Sequence, residues 1–262
     1  MASGPMQTCC VKGFKHDGTP TGRIESSFVN TQLGPVDAYI TEPKISGSDE
    51  KKHGILFIPD VIGHTSNNAQ LLADQFAARG YYVVIPDLFY GDFIEMNNFA
   101  NVDLAKWKLG HYSDRKLAHD PASIDPIIEA CIKKMKMELG IKKLGAVGYC
   151  FGAKYVVRFL KEGSFDAGYG AHPSFVDTEE LAAITRPFSI AAAEIDGIFT
   201  AEGRHQSEAI LKKAGVPWQI DLYGGVSHGF AVRGDIKDKR LRFAMEAAFS
   251  QAVDWFKFHL DD

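Results

Sequence analysis

Long apolar runs, an excess of either charge and any density of cysteine are what this 262-residue chain has least of. No stretch approaches the ~18 consecutive apolar residues that crossing a bilayer takes, so no membrane partner is expected. Lysine and arginine total 29 against 33 aspartates and glutamates, a net charge of -4. That near balance argues against nucleic acid or an anionic membrane as the main partner. Four cysteines, of which Cys9 and Cys10 are adjacent, do not make a disulfide framework and read as free thiols in a reducing, cytoplasmic compartment. The opening MASGPMQTCC has neither a basic start nor an apolar core, so no secretory signal is read there. No pair among the nine histidines has metal-ligand spacing, so no metal is expected. No internal repeat, low-complexity segment or linker is visible.

What is present is the ordinary composition of a soluble globular protein, 45% hydrophobic and 24% charged, enough to fill a core. Length alone allows one large α/β domain or two small ones. Residues before about 24 read as a lead-in loop. Residues 24–30 and 36–41 read as a hairpin around Gly34-Pro35 at one sheet edge, and residues 45–52 as a surface loop. Buried strands follow at 54–59, 81–85, 144–147, 166–171, 187–195 and 218–223. Helices are expected at about 67–79, 120–139, after Cys150, 202–214 and 239–259, with a glycine-rich loop at 224–229. Strands alternating with helices in this rhythm give a mostly parallel sheet with helices on both faces, and such sheets bind ligands beyond the carboxyl ends of their strands. Residues 88–114 are irregular yet carry Phe89, Tyr90, Phe93, Phe99 and Trp107. They form either a lid or pocket wall, or a loop that only packs on its own helix.

The segment 143–158, KLGAVGYCFGAKYVVR, organises the rest. A short apolar strand turns through Gly148-Tyr149-Cys150-Phe151-Gly152 into a helix, the pattern of a nucleophile elbow with cysteine at its apex. Asp60, Cys150, His172, Asp196 and His228 each follow an expected strand and so gather at one rim. Cys150, Asp196 and His228 give a nucleophile, an acid and a base in the chain order of the α/β-hydrolase fold. An imidazole beside the thiol raises the attacking thiolate population, and a carboxylate holds the imidazole in its working tautomer. The N–H groups of Phe151 and Val61 are placed to hold an oxyanion. Glu194, two residues before Asp196, competes for the acid role, and His172 is the reserve base or a pocket-lining residue. Asp60 either leads into a helix or, aimed at Cys150, controls its ionisation. Arg233 holds an anionic substrate group or is a solvated surface residue. Cys131 reads as simply buried.

These residues resemble the dienelactone hydrolase family (carboxymethylenebutenolidase-like proteins), in particular its eukaryotic, fungal-type branch. The likeness runs through residues 16–22 (HDGTPTG), 59–63 (PDVIG), 71–91 (LLADQFAARGYYVVIPDLFYG), 148–152 (GYCFG) and 227–233 (SHGFAVR). The resemblance implies a single-domain α/β-hydrolase over residues 1–262, without cofactor, that hydrolyses lactones or activated esters with a Cys-His-Asp triad. In bacterial members a glutamate of the oxyanion turn contacts the resting thiol; Asp60 stands there, one methylene shorter. Those members hold the dienelactone carboxylate with two arginines. Here Phe89-Tyr90-Gly91 follows Pro86-Asp87-Leu88 without one, and Arg233 is displaced by one residue, which points to a less charged, bulkier substrate walled by aromatics such as Tyr90 and Trp107.

Three functions follow as expectations. The first is hydrolysis of a small-molecule ester or lactone through an acyl-cysteine, by a monomer or a homodimer. The second is acyl transfer or lactone formation from the same intermediate. The third is a non-enzymatic thiol sensor or binding protein.

Overall fold

The computed structural model describes residues 1–43 and 53–261. The surface loop expected at 45–52 lies outside them. Eight strands form one sheet: β1 (Arg23–Thr31), β2 (Gly34–Thr41), β3 (His53–Ile58), β4 (Tyr82–Pro86), β5 (Lys143–Tyr149), β6 (Ala167–Ala171), β7 (Phe188–Ile195) and β8 (Trp218–Ser227). Their order is β1-β2-β4-β3-β5-β6-β7-β8. The β1–β2 hairpin is antiparallel and joins β4 antiparallel, while every other pairing is parallel. The expected edge hairpin and parallel core are both present.

Helices α1 (Asn67–Ala77) and α8 (Lys239–Leu260) cover one face, packing Phe76 and Phe256 on Phe57 and Val147. On the other face, α3 (Pro121–Lys133), α4 (Phe151–Phe159) and α6 (Ala201–Ala214) bury Ile128, Val156 and Leu211 over Leu56 and Ala146. The sequence explains where these helices begin. The Asp120 carboxylate accepts from the N–H groups of Ala122 and Ser123, with Pro121 at the first helical position, and Asp238 does the same for α8. The helix expected to run to residue 139 stops at Lys133 and widens into a π-helical turn, Lys134–Glu138. A short helix, α2 (Leu104–Lys108), interrupts the irregular stretch 88–114, capped by Asp103. Two further short helices, α5 (Thr178–Ala182) and α7 (Phe230–Arg233), flank the rim.

Of the glycine-rich stretch expected as a loop at 224–229, residues 224–227 belong instead to β8, and His228-Gly229 make the turn. Between the pairs Ala193↔Tyr223 and Ile195↔Ser227, β7 advances two residues and β8 four. That bulge holds Gly225 at φ +70, with its N–H donated to the Glu194 carboxylate at 2.6 Å. Its effect is to bring Ser227 opposite Ile195, so that His228 leaves the sheet beside Asp196.

Candidate active site

Cys150 sits at the carboxyl end of β5, between β3 and β6 in mid-sheet, and caps the N-terminus of α4. Its backbone is at φ 51, ψ -109, a conformation that costs a non-glycine residue about 1–3 kcal/mol. The surroundings leave no alternative. A Cβ on Gly148 would come within 2.6 Å of the Ala153 Cα, and one on Gly152 would run into the carbonyl of Ile58. The Cys150 N–H donates to the carbonyl of Ala171 at 3.1 Å, fastening the elbow to β6. The side chain points into the rim and is fully buried.

The β8 bulge delivers His228 to the same place. Its Nδ1 lies 2.9 Å from Asp196 Oδ2, and neither side chain meets solvent. Asp196 Oδ1 is occupied by the N–H groups of Ile198 and Phe199 at 2.8 and 3.0 Å, so the carboxylate cannot turn. Glu194, its competitor for the acid role, is exposed and spends its carboxylate on Gly225. With Nδ1 committed to Asp196, Nε2 faces the sulfurs. The Cys150 sulfur lies within 4.8 Å of the imidazole donor atom. Burial raises the Cys150 thiol, but a hydrogen bond from Cys10 and the charges of His228 and Arg233 outweigh it and hold the thiol well below its ordinary range. Burial likewise opposes the imidazolium, yet the thiolate and Asp196 push His228 up to about 10. The pair rests as thiolate and imidazolium.

His172, the reserve base, stands edge-on to His228 with ring centroids 4.9 Å apart. It is fully buried, and among the described residues neither ring nitrogen has a partner. Burial first, and then the positive charges of His228 and Arg233, keep it neutral. It packs against His228 without a hydrogen bond to Asp196.

The N-terminus is the largest departure from expectation. Residues read as a lead-in loop are built into the rim. The N–H of Gly4 donates to Ile198 and that of Phe175 to Gly4, at 2.8 and 2.9 Å. The N–H of Asn97 donates to Val11 at 2.8 Å, and that of Phe14 to Arg233 at 3.0 Å. This lays Cys10 over the elbow, fully buried, with its sulfur 3.3 Å from that of Cys150 and 3.8 Å from His228 Nε2. With Cys150 ionised, the Cys10 S–H is the donor between them. Buried Ser174, whose Oγ is 3.6 Å from the Cys150 sulfur, was missed from sequence, and so was Cys10. Its one signal is a cysteine pair in an otherwise polar segment, which says nothing about where the pair folds.

Asp60 and Arg233, left open as helix-approach or thiol-controlling and as anion-holding or solvated, are a buried ion pair. Asp60 also accepts from the N–H of Ile62 at 3.0 Å. Arg233 is 2% exposed, which rules out the solvated reading. It donates to the carbonyls of Cys9 and Lys12 at 3.2 and 3.3 Å, fixing the N-terminal segment over the site.

A model of the dienelactone hydrolase family matches residues 36–260. The chain belongs to the dienelactone hydrolase family. Its relatives include Hydrolase tropI of Talaromyces stipitatus, 46% identical over 262 residues and the full length of both chains. Hydrolase pyvD of Aspergillus violaceofuscus is 41% identical over 261 residues, 99% of each chain. Among solved structures, a putative dienelactone hydrolase from Klebsiella pneumoniae superposes with a TM-score of 0.73 at 13% identity, over 90% of this chain and 98% of that one. That likeness shows the α/β-hydrolase fold alone.

Within this dienelactone hydrolase family member the aromatic residues of 88–114 divide. Trp107 is buried against Phe89 and stands 6.2 Å from the ring of Phe151, next to the elbow cysteine, with its indole N–H donated to Asp92. Tyr90 is turned the other way: its hydroxyl meets Thr31 at 2.7 Å, and Arg115 covers its ring. Trp107 packs behind Phe151, and Tyr90 turns away from it. Among the described residues, the N–H groups of Val61 and Phe151 donate to no backbone carbonyl. Also among the described residues, only Cys10, Cys150 and His228 bring three metal-ligand atoms together, all within 4.8 Å. Two thiolates on a tetrahedral zinc stand about 3.7 Å apart, given bonds of about 2.3 Å. The sulfurs here are closer, at 3.3 Å, which suits a shared thiol proton better than a cation. No helix among the described residues is long and apolar enough to cross a membrane.

Proposed function

We propose that the protein is a thiol-dependent carboxylic ester hydrolase that opens small-molecule esters or lactones through an acyl-Cys150 intermediate. The observation that carries this reading is the 2.9 Å bond from His228 to a carboxylate whose other oxygen is pinned by two backbone donors, with Nε2 of the ring 3.8 Å from the Cys10 sulfur and the Cys150 sulfur of the strained elbow within 4.8 Å of the ring. The Cys150 thiolate attacks the carbonyl carbon, and the N–H groups of Val61 and Phe151 receive the oxyanion. The His228 imidazolium protonates the departing alkoxide, which in a lactone stays attached to the acyl chain. The neutral ring then takes a proton from water as it attacks the thioester, and the acid leaves with the thiolate restored. Asp196 stabilises the charged ring each time it forms. The aromatic wall of Phe89, Trp107 and Phe151 suits a bulky, weakly charged acyl group, since Arg233 is engaged by Asp60. One domain performs this, with residues 88–114 as a wall.

The test is hydrolysis of p-nitrophenyl acetate and a panel of lactones by the wild type and by Cys150→Ala. Loss of turnover, together with an acyl adduct on Cys150 trapped by mass spectrometry, supports the reading. Undiminished hydrolysis by the variant would sink it. A second reading, acyl transfer to an alcohol, is favoured by the complete burial of Cys150, which limits water. Products analysed with an offered alcohol separate the two: free acid alone counts against transfer.

A further inference from the structure

Ester cleavage of the kind proposed above uses one sulfur, yet two are buried together at the rim. The Sγ atoms of Cys10 and Cys150 are 3.3 Å apart and both residues are 0% exposed. A sulfur–sulfur bond is about 2.05 Å long, so it requires about 1.2 Å of approach. The partner that must move is the compliant one. Cys10 ends a single turn, Thr8–Cys10, in a segment with no other regular structure before β1, whereas Cys150 is locked into the elbow.

We propose that Cys10 and Cys150 form a modification site for hydroperoxides, in which Cys10 is the resolving thiol and the resulting disulfide ties the N-terminal segment across the nucleophile. The bond itself needs only the two thiols. That it silences an enzyme rests on the reading of Cys150 as the attacking sulfur.

The chemistry closes without a further reactant. The Cys150 thiolate attacks the terminal oxygen of hydrogen peroxide, the O–O bond breaks, and the departing hydroxide takes the proton of the His228 imidazolium and leaves as water. Cys150 is then a sulfenic acid. The Cys10 sulfur attacks that sulfur, the S–O bond breaks, and the hydroxyl leaves with the Cys10 proton as a second water. Two thiols lose two electrons and one peroxide becomes two waters. The division of labour follows from the surroundings. Cys150 is the thiolate and reacts first. Cys10, hydrogen-bonded to it and buried, keeps its proton until the sulfenic acid forms. Cys131 is buried in α3 with no sulfur partner among the described residues, and stays reduced. Without Cys10 the sulfenic acid would go on to sulfinic acid, which thiols do not reverse. The second sulfur thus converts an irreversible loss into a reversible one.

The experiment uses the full chain, a few equivalents of hydrogen peroxide per chain, intact mass, peptide mapping without reductant, and p-nitrophenyl acetate turnover before and after dithiothreitol. Wild type is expected to lose two hydrogens in mass, to yield one cross-linked peptide joining Cys10 to Cys150, and to lose at least about nine-tenths of its turnover until reductant restores it. Cys9→Ser should behave like wild type. Cys10→Ser, compared with its own untreated sample, should gain oxygens on Cys150 and stay inactive after reductant. Wild type that gains oxygens on Cys150 as fast as Cys10→Ser, or that pairs Cys10 with Cys9, overturns the proposal. Should Cys10→Ser fail to fold, the mapping of wild type and Cys9→Ser decides alone. A mapped Cys10–Cys150 bond in a protein whose untreated form cleaves no ester supports this site while refuting the hydrolase reading, so the two fail separately.

Discussion

Replacing Asp196 by asparagine tests the acid more sharply than deleting it, because the structure dictates which way the new amide must face. Oδ1 of Asp196 accepts from the N–H groups of Ile198 and Phe199 at 2.8 and 3.0 Å. An amide nitrogen there would set donor against donor twice, so the asparagine oxygen takes that side and its NH2 faces His228 Nδ1. The ring must then accept at Nδ1 and carry its proton on Nε2, the side turned to the sulfurs. In that tautomer neutral His228 cannot take a proton from the attacking water, and the imidazolium has lost its carboxylate. Turnover should fall by about 10³–10⁴. The side chain keeps its shape and its three hydrogen bonds, the one to His228 reversed and stripped of its charge, so folding should lose only about 1–3 kcal/mol, read as a small fall in Tm. Steady-state kinetics with p-nitrophenyl acetate beside thermal melts provides both readouts. A variant that folds and keeps its kcat/KM within about tenfold of wild type would refute the tautomer argument and the acid role with it.

Asp60→Asn should be far more damaging to stability than Asp196→Asn, because it leaves the buried Arg233 guanidinium without its counter-charge. The expected loss is about 3–5 kcal/mol, measured by urea unfolding; a shift under 1 kcal/mol would contradict it. Gly152→Ala drives a methyl group into the Ile58 carbonyl and to 2.8 Å from that of Pro59. It should cost about 3 kcal/mol or more, or prevent soluble expression, and a normal melt would show that the elbow is looser than drawn. The thiolate–imidazolium pair fixes a pH profile. From an unfolded histidine near pH 6.5 to an unfolded cysteine near 8.5, both states bind one proton between the two groups and stability is level. Above about 8.5 the unfolded pair loses its proton while the folded pair keeps it until His228 titrates at about 10, so stability falls as pH rises through that window. Below 6.5 the unfolded pair gains a second proton before the depressed Cys150 does, so stability falls as pH drops. Melts across pH 5–10 check both slopes, and Cys150→Ala should flatten the acid one.

The parts of this molecule that were legible in its sequence are those written in local pattern. Apolar runs such as residues 54–59 and 187–195 give buried strands whatever their neighbours, and the spacing of Gly148 and Gly152 around Cys150 is a steric requirement visible in the chain. The order Cys150, Asp196, His228 placed three groups at one rim because parallel strands all end there. What was illegible depends on contacts between distant residues. Arg233 reads as a surface charge until Asp60, 173 residues away, is seen beside it. Gly224-Gly225 reads as a loop because glycine lacks strand propensity, yet the bulge needs a residue at positive φ to advance β8 by two. The first fourteen residues carry no periodicity at all. They are held by backbone groups and by Arg233, and a backbone hydrogen bond leaves no mark on residue type.

Complete burial of Cys150 means that no ester reaches it without movement, and the structure offers two covers, residues 88–114 and residues 8–12. Swinging out residues 88–114 would expose Phe89, Ile94 and Trp107, each at most 2% exposed. At about 1.5–3 kcal/mol for each of the smaller two and about 5 for the indole, that is roughly 8–11 kcal/mol. Lifting residues 8–12 exposes Val11 and Cys10 and exchanges for water the hydrogen bonds from Asn97 to Val11 and from Arg233 to Cys9 and Lys12. At about 1 kcal/mol net for the backbone bond, about 1.5–3 for each bond from the guanidinium, and about 3–4 for the two side chains, the total is roughly 7–11 kcal/mol. The two costs overlap, and what separates the covers is chemistry: of the two, residues 8–12 carry the group, Cys10, that is hydrogen-bonded to the Cys150 sulfur. Lifting residues 8–12 would withdraw the Cys10 proton from the thiolate as an ester arrives, and a thiolate relieved of a hydrogen bond is the better nucleophile.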